Sequence, residues 1–320
     1  MSIVKYSTSN IPNTIRANNV AVGINNVGYG PTNTTDFYNG ISVPSGGYVV
    51  YRFPGGVGNP NIYVAQNDTE LINLAGRSNA TTAAQAISHI NGLSNTIIID
   101  RNYENIVTDS LVLCLDAGTL MSYLRSGTTW RDISGNGRDG TLTNGPTFDS
   151  GNGGSIFFDG TDDFVQCSGA LTVTAATFVA WIKRNGNQGQ YDGILFSRGA
   201  SVTGINFQTS NQLGYHWNNT VNTYIWQSGL TIPDLTWCMV AVSVTSTAAT
   251  AYLCQSGGIT TATRTVNHAS SGLNDIKLAQ DDSGGRFFNG NIAIAQIYNR
   301  ALSSTEITQN FDATKARYGL

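Results

Sequence analysis

Glutamate is nearly missing from this chain of 320 residues: Glu70, Glu104 and Glu306 are the only three. Enzymes that cut glycosidic bonds with retention hold two carboxyl groups about 5 Å apart. The pair Asp162/Asp163 is a poor substitute, because neighbours on a strand point to opposite faces. No Gly-x-Ser-x-Gly elbow is present to seat a nucleophilic serine. Charge is scarce as well, at 12% of residues against roughly 25% in an ordinary soluble domain. The net charge of −3 comes without a basic run, which argues against nucleic acid or an anionic membrane surface as partner. No apolar run approaches the ~20 residues that span a bilayer. The opening Met1-Ser-Ile-Val-Lys-Tyr-Ser has neither an apolar core nor a cleavage site of a signal peptide, so we expect a chain made in the cytoplasm. Sustained heptads, and with them a coiled-coil stalk, are also lacking.

Cysteine is limited to Cys114, Cys167, Cys238 and Cys254, widely spaced and each inside an apolar run. Zinc wants closer pairs and histidine partners. Neither His89, His216 nor His268 adjoins a cysteine. Buried, reduced thiols are the expectation.

What fills the gap is glycine (36 residues), serine, threonine and asparagine, with aromatics at 10%. Disorder needs high charge and few aromatics. The chain therefore reads as folded, with a neutral surface rich in hydroxyls and amides. Residues 1–107 suggest a small α+β attachment domain. It would comprise an extended arm over 1–30, a β run in Gly47-Tyr-Val-Val-Tyr-Arg-Phe53, helices at 67–76 and 79–92, and a strand Thr96-Ile-Ile-Ile-Asp100. The first helix starts at the capping box Asn67-Asp-Thr-Glu70, and Ala83, Ala86, Ile87 and Ile90 give the second one apolar face.

Over residues 108–320 strands recur about every 10 residues, with turn signals between them. Leu111-Val-Leu-Cys-Leu115 and Thr177-Phe-Val-Ala-Trp-Ile-Lys183 are two of these strands. The stretch 214–226 reads as a hairpin turning at Asn218-Asn219, and 237–253 as another. Asn291–Tyr298 is a further strand. The period then changes: Ser303-Ser-Thr-Glu306 is a capping box, and Ile307, Asn310 and Phe311 begin a closing helix.

Several motifs in order carry a resemblance. They are Asp132-Ile-Ser-Gly-Asn-Gly-Arg-Asp-Gly-Thr141, Phe158-Asp-Gly-Thr-Asp-Asp-Phe-Val165, Phe178-Val-Ala-Trp-Ile182, Thr236-Trp-Cys-Met-Val-Ala-Val-Ser243, Phe287-Phe-Asn-Gly-Asn-Ile292 and Ile297-Tyr-Asn-Arg-Ala-Leu-Ser303. Residues 111–320 resemble the laminin-G-like branch of the concanavalin A-like lectin/glucanase superfamily. The resemblance implies a mainly β fold, an antiparallel jelly-roll sandwich followed by a C-terminal helix. The superfamily includes lectins, adhesion modules and glycosidases, so fold alone does not decide function. The related glucanases carry Glu-x-Asp-x-(x)-Glu on one strand, and this chain has no such strand. The ending Asn310-Phe-Asp-Ala-Thr-Lys-Ala-Arg-Tyr-Gly319 and the leader motifs Tyr38-Asn-Gly-Ile-Ser-Val-Pro44 and Asp100-Arg-Asn-Tyr-Glu104 look like those of structural proteins of tailed bacteriophages.

Two candidate sites follow. Tyr191, Tyr215, Trp217, Tyr224 and Trp226 could offer stacking platforms to a sugar, with Asn218, Asn219 and Asn222 beside them. The period of two in Tyr215/Trp217 and in Tyr224/Trp226 puts each pair on one side; if that side is inward, they are core. Trp130, Trp181 and Trp237 are assigned to the core. Asp159, Asp162 and Asp163, with Asp281-Asp282, could supply hard oxygens to calcium, or serve as turn residues bonded to their own backbone; Asp132 and Asp139 suit a structural turn. The sequence reading is thus a non-catalytic virion component with an adhesive module. Its expected partners are other virion proteins, sister copies in a homo-oligomer and host-surface glycans. The rival is a lectin or polysaccharide-active enzyme of the same fold.

Overall fold

A computed structural model of the chain describes residues 106–119 and 122–320, together with four strands nearer the N-terminus. The chain divides into two compact units, residues 1–106 with 119–124, and residues 107–118 with 125–320. In the first, β1 (Val4–Ser7), β2 (Tyr48–Arg52), β3 (Asn61–Ala65) and β4 (Thr96–Asp100) form an antiparallel sheet in the order β1–β3–β2–β4. β2 and β4 fall where the sequence places strands. The two expected helices at 67–76 and 79–92 lie outside the described residues.

The second unit is an antiparallel β-sandwich. Its strands are β5 (Leu111–Asp116), β6 (Thr129–Trp130), β7 (Gly140–Thr143), β8 (Thr147–Asp149), β9 (Ser155–Asp159), β10 (Phe164–Cys167), β11 (Leu171–Val173), β12 (Ala176–Arg184), β13 (Gly193–Arg198), β14 (Val202–Gln208), β15 (Gln212–His216), β16 (Cys238–Val244), β17 (Ala248–Gln255), β18 (Gly258–Thr265), β19 (Ser271–Leu273), β20 (Ile276–Leu278) and β21 (Asn289–Tyr298). One sheet runs β15–β14–β13–β20–β10–β7–β6. The other runs β18–β17–β16–β12–β21–β9–β8, and β5 also joins β21. One edge of β21 is shared end to end: Asn289–Ile292 pairs with β9 and Ile294–Tyr298 with β5. β11 and β19 form a small separate pair.

Alternation decides which face is apolar. In the first sheet Trp130, Leu142, Val165, Leu195, Ile205, Phe207, Leu213, Tyr215 and Leu278 share one face by register, and all are buried. This is the period-two apolar series that a strand facing a core requires. Each fully buried Leu or Phe contributes about 2 kcal/mol relative to exposure. All four cysteines are buried free thiols. Burial pushes the Cys254 thiol up to about 12, so it stays protonated.

The closing helix, Ser304–Thr314, starts as expected. Ser303 Oγ accepts from the Glu306 amide, and the Glu306 carboxylate accepts from the Ser303 amide. Its buried residues are Ile307, Asn310 and Phe311, and Phe311 packs on β12, where Trp181 stacks on it at 5.6 Å and on Tyr318 at 4.0 Å. Trp181 Nε1 donates to Thr314 Oγ1 at 2.8 Å. Asn310 ties both ends of this unit together: its Oδ1 accepts from the Val107 amide and its Nδ2 donates to Tyr298 Oη.

The expected hairpin over 214–226 is not what forms. β15 stops at His216, Asn218 and Asn219 both take left-handed backbone (φ 46° and 54°), and a short helix follows at Val221–Tyr224. Thr223 Oγ1 accepts from the Trp217 amide and donates to the Thr220 carbonyl, which favours the helical turn over a second strand.

Candidate functional site

The outward face of the β13–β14–β15 region is polar with aromatic walls. Register alone puts His216, Gly214, Gly204, Asn206, Gln208 and Phe196 on it. Two of the polar side chains face a glycine: His216 lies opposite Gly204, and Asn206 opposite Gly214. A Cβ on Gly214 would come within 2.5 Å of Gln208 Cγ and 2.9 Å of Asn206 Oδ1. Gly204 has φ 152°, and a Cβ there would meet the Phe196 backbone at 2.6 Å. The two glycines therefore make the room that Asn206, Gln208 and Phe196 occupy.

His216 sits in an aromatic cage. Tyr224 stacks over it with ring centroids 5.1 Å apart, while Tyr191 and Phe196 present edges at 5.4 and 5.0 Å. Tyr191 reaches this position from left-handed backbone, φ 76°, which is costly for a bulky residue and marks a segment held by its surroundings. The hold is visible. The Tyr191 amide donates to the Phe207 carbonyl, and the Phe207 amide to the Asp192 carbonyl. The Arg286 guanidinium lies 4.8 Å from the Tyr191 ring.

Both ring nitrogens of His216, both amide atoms of Asn206 and Oε1 of Gln280 are buried with no hydrogen-bond partner. Gln280 is next to them through its backbone, which packs on Gly193, the residue opposite Asn206. A buried polar atom left unpartnered costs about 1–3 kcal/mol, so the four on His216 and Asn206, on one face of one sheet, are an unusual concentration. Burial first, then the charges of Arg198 and Arg286, lower His216 to about 3. The imidazole is therefore neutral, with one donor and one acceptor.

The charged groups bordering this face are already matched. Asp281 is fully buried and accepts two bonds from Arg198, at 2.6 and 3.0 Å, and one from Arg286 at 2.8 Å. Lys277 pairs with Asp282 at 2.8 Å and Asp275 at 3.5 Å. Asp192, beside Tyr191, accepts from the Gly189 amide; burial above all pushes its carboxyl up to about 6.

These positions revise several sequence expectations. Tyr215 and Trp217 belong to the inner face and are buried. Tyr215 Oη bonds His268, and Trp217 Nε1 donates to the Ala269 carbonyl, so neither ring can stack on a sugar. Tyr224 and Trp226 are half-buried but separate: Tyr224 covers His216 on the outer face, whereas the Trp226 ring packs edge-on to Tyr215 at 5.7 Å. Asn218 forms the left-handed turn, its amide donating to Thr203 Oγ1. Asp281 is no calcium ligand beside Asp159, Asp162 and Asp163, since two arginines hold its carboxylate. His216, Asn206 and Gln280 were not singled out in the sequence. The signal was parity: with Tyr215 and Trp217 inward, His216 between them must point out.

Asp159, Asp162 and Asp163 do converge. Their carboxylate oxygens lie within 4.8 Å of one another, and no other such acidic, histidine or cysteine group occurs among the described residues. Asp163 Oδ2 accepts from the Asp159 amide and Asp159 Oδ1 from the Thr161 amide. Burial, then the neighbouring charges of Asp159 and Asp162, raise the Asp163 carboxyl above its ordinary range. Three carboxylates could start a site for a hard cation, which needs 6–8 oxygens, but two of them already brace their own turn. Asp132 is wholly structural: its carboxylate accepts from the amides of Cys114, Ser134 and Arg138.

Residues 158–308, which include the whole His216 face, match the family model of the Concanavalin A-like lectin/glucanases superfamily. This segment is a concanavalin A-like domain. Among solved structures, it is similar to domain 4 of AbnA, an extracellular GH43 arabinanase from Geobacillus stearothermophilus in complex with arabinotriose. The TM-score is 0.48 at 16% identity, over 64% of this chain and 98% of that one. The binding domain of Paraclostridial Mosquitocidal Protein 1 gives 0.46 at 13% identity, over 65% of this chain and 53% of that one. Trypanosoma rangeli sialidase in complex with sialic acid gives 0.46 at 14%, over 84% of this chain and 43% of that one. None of the curated proteins matches the sequence. Within the concanavalin A-like domain, the His216 face lies on the outside of the β15–β6 sheet, away from the C-terminal helix.

Proposed function

We propose that this chain is a bacteriophage structural protein, a capsid decoration, neck or tail-fibre component, whose concanavalin A-like domain grips host-surface glycan without cutting it. The observation that carries the binding part is the His216 face, where unpartnered donors and acceptors lie beneath Tyr191 and Tyr224. Sugars bind through such pairings of aromatic rings with fixed polar groups. Weak single sites gain avidity when many copies are displayed together, and low charge leaves little to desolvate when copies pack side by side. The particle role rests on composition and on the resemblance of the leader and ending segments.

The acids support binding without hydrolysis. Glu306 is bound by its own cap and by Arg300. Asp281 is sealed by two arginines. The Asp159 cluster stands on a largely exposed turn. Asp192 and Asp163 both have the raised affinity for a proton that a general acid uses, which favours the enzyme reading, yet Asp163 braces its own turn and Asp192 would need a second carboxylate. Two experiments test the proposal. Protein analysis and labelled electron microscopy of purified particles should find the chain at fixed stoichiometry. Incubation with host polysaccharide should give binding without shortened products; turnover abolished by Asp192→Asn or Asp162→Asn would overturn the non-catalytic reading.

A further inference from the structure

The unpartnered atoms beneath Tyr224 specify a ligand chemistry, and the argument rests on the binding role given above. Two of them are acceptors: Asn206 Oδ1 and the unprotonated nitrogen of His216. Two groups are donors, the Asn206 amide and the remaining imidazole N–H. A carboxylate or sulfate only accepts, so it would leave both acceptors unsatisfied. A hydroxyl both donates and accepts, and neighbouring ring hydroxyls do so at the spacing of adjacent side chains. Charge points the same way. Arg198 and Arg286 are matched by Asp281 and Asp192, and Lys277 by Asp275 and Asp282. No unmatched cation remains here to draw in an anion.

The atoms are covered, so access requires the cover to move. Tyr224 is the movable piece. It ends a four-residue helix anchored by buried Thr223, while Val221 and the following Ile225 are about half exposed, at 53% and 49%, so the outer side of the segment is lightly packed. Its backbone tie to the sheet is the bond from Gln208 Nε2 to the Tyr224 carbonyl. Sparse packing of this kind marks segments that open locally.

We propose that the Tyr224 segment is a lid, and that a neutral sugar unit with adjacent hydroxyls, not an acidic one, takes the place of the Tyr224 ring over His216 and Asn206. The test is a glycan array carrying neutral and uronate-, sialate- or sulfate-bearing oligosaccharides at matched density, probed with the full chain at two salt concentrations. It is paired with hydrogen exchange over residues 218–227. The expected result is binding of neutral glycans, unchanged by salt, with exchange of the lid amides slowed at least several-fold by the bound glycan. His216→Phe and Asn206→Leu should lose that binding at least tenfold while melting no lower than the parent chain. Should these variants fail to fold, the wild-type array and exchange data still decide. Binding confined to acidic glycans and weakened by salt overturns the inference but leaves the binding role intact. Neutral binding that survives both substitutions, or leaves lid exchange unchanged, also overturns it. No glycan bound at all overturns the binding role itself.

Discussion

His216, Asn206 and Asp192 are residues whose environment works against stability. Their neighbours predict the outcome of single changes. Asp192 prefers its neutral form in the folded chain, with its carboxyl moved from 3.8 to about 6 chiefly by burial. The folded state therefore holds this proton more tightly than the unfolded chain does. Its contribution is fully present below the unfolded value and is lost as pH rises through about 6. Melting temperature followed from pH 4 to 7 should carry a downward component that Asp192→Asn removes. Asp281→Asn should have a larger effect, because it leaves the guanidiniums of Arg198 and Arg286 without their shared anion. Both are about a quarter exposed, so partial rehydration brings the cost to about 3 kcal/mol, at the low end for a broken buried pair; urea unfolding checks it. Gly214→Ala drives a methyl into Gln208 and Asn206, and should cost about 1–3 kcal/mol as well as glycan binding. The aromatic and acidic residue types at the two sites were legible in the sequence, but their facing was not. Tyr215 and Trp217 attract attention as large amphipathic rings, yet one step of parity puts them inside and His216 outside. Asp281 gave no hint of its arginines, because Arg198 reaches it from a strand 83 residues away and Arg286 meets it only once the 281–286 turn has closed.

At the scale of elements, strands and the closing helix followed from local pattern. The capping box at Ser303 reads directly from Ser-x-x-Glu, and the apolar runs of β12 and β21 fall on central strands buried along almost their whole length. Ser303→Ala should cost about 1 kcal/mol and loosen the cover of Phe311 and Tyr318 over Trp181, seen as a change in near-ultraviolet circular dichroism. Glu306 shows the opposite pH sign to Asp192. Its bonds with Arg300, above all, lower it to about 2, so its contribution is present above 4.5 and fades as pH falls towards 2. The failure lies at 214–226. Asn-Asn tolerates left-handed backbone in a hairpin turn and also in a turn leading into a helix. The Thr223 hydroxyl, bonded to the Trp217 amide, tips the balance towards the helix. That difference creates the lid, since a second strand would have carried Tyr224 and Trp226 to one side together.

For the whole molecule, two sheets bury an apolar face against each other and leave one outer face polar, walled by Tyr191, Tyr224 and Phe196. Low overall charge and matched ion pairs make that surface electrically quiet. Such a surface suits a displayed protein that holds many weak contacts, and the scarcity of glutamate fits a scaffold built to bind. The most direct measurement of this account is a structure of the full chain soaked with the oligosaccharide it binds best. The account predicts an uncleaved sugar resting on Tyr191 and bonded to His216 and Asn206, with the Tyr224 ring displaced. A sugar lodged elsewhere, or a shortened product beside Asp192, would contradict it.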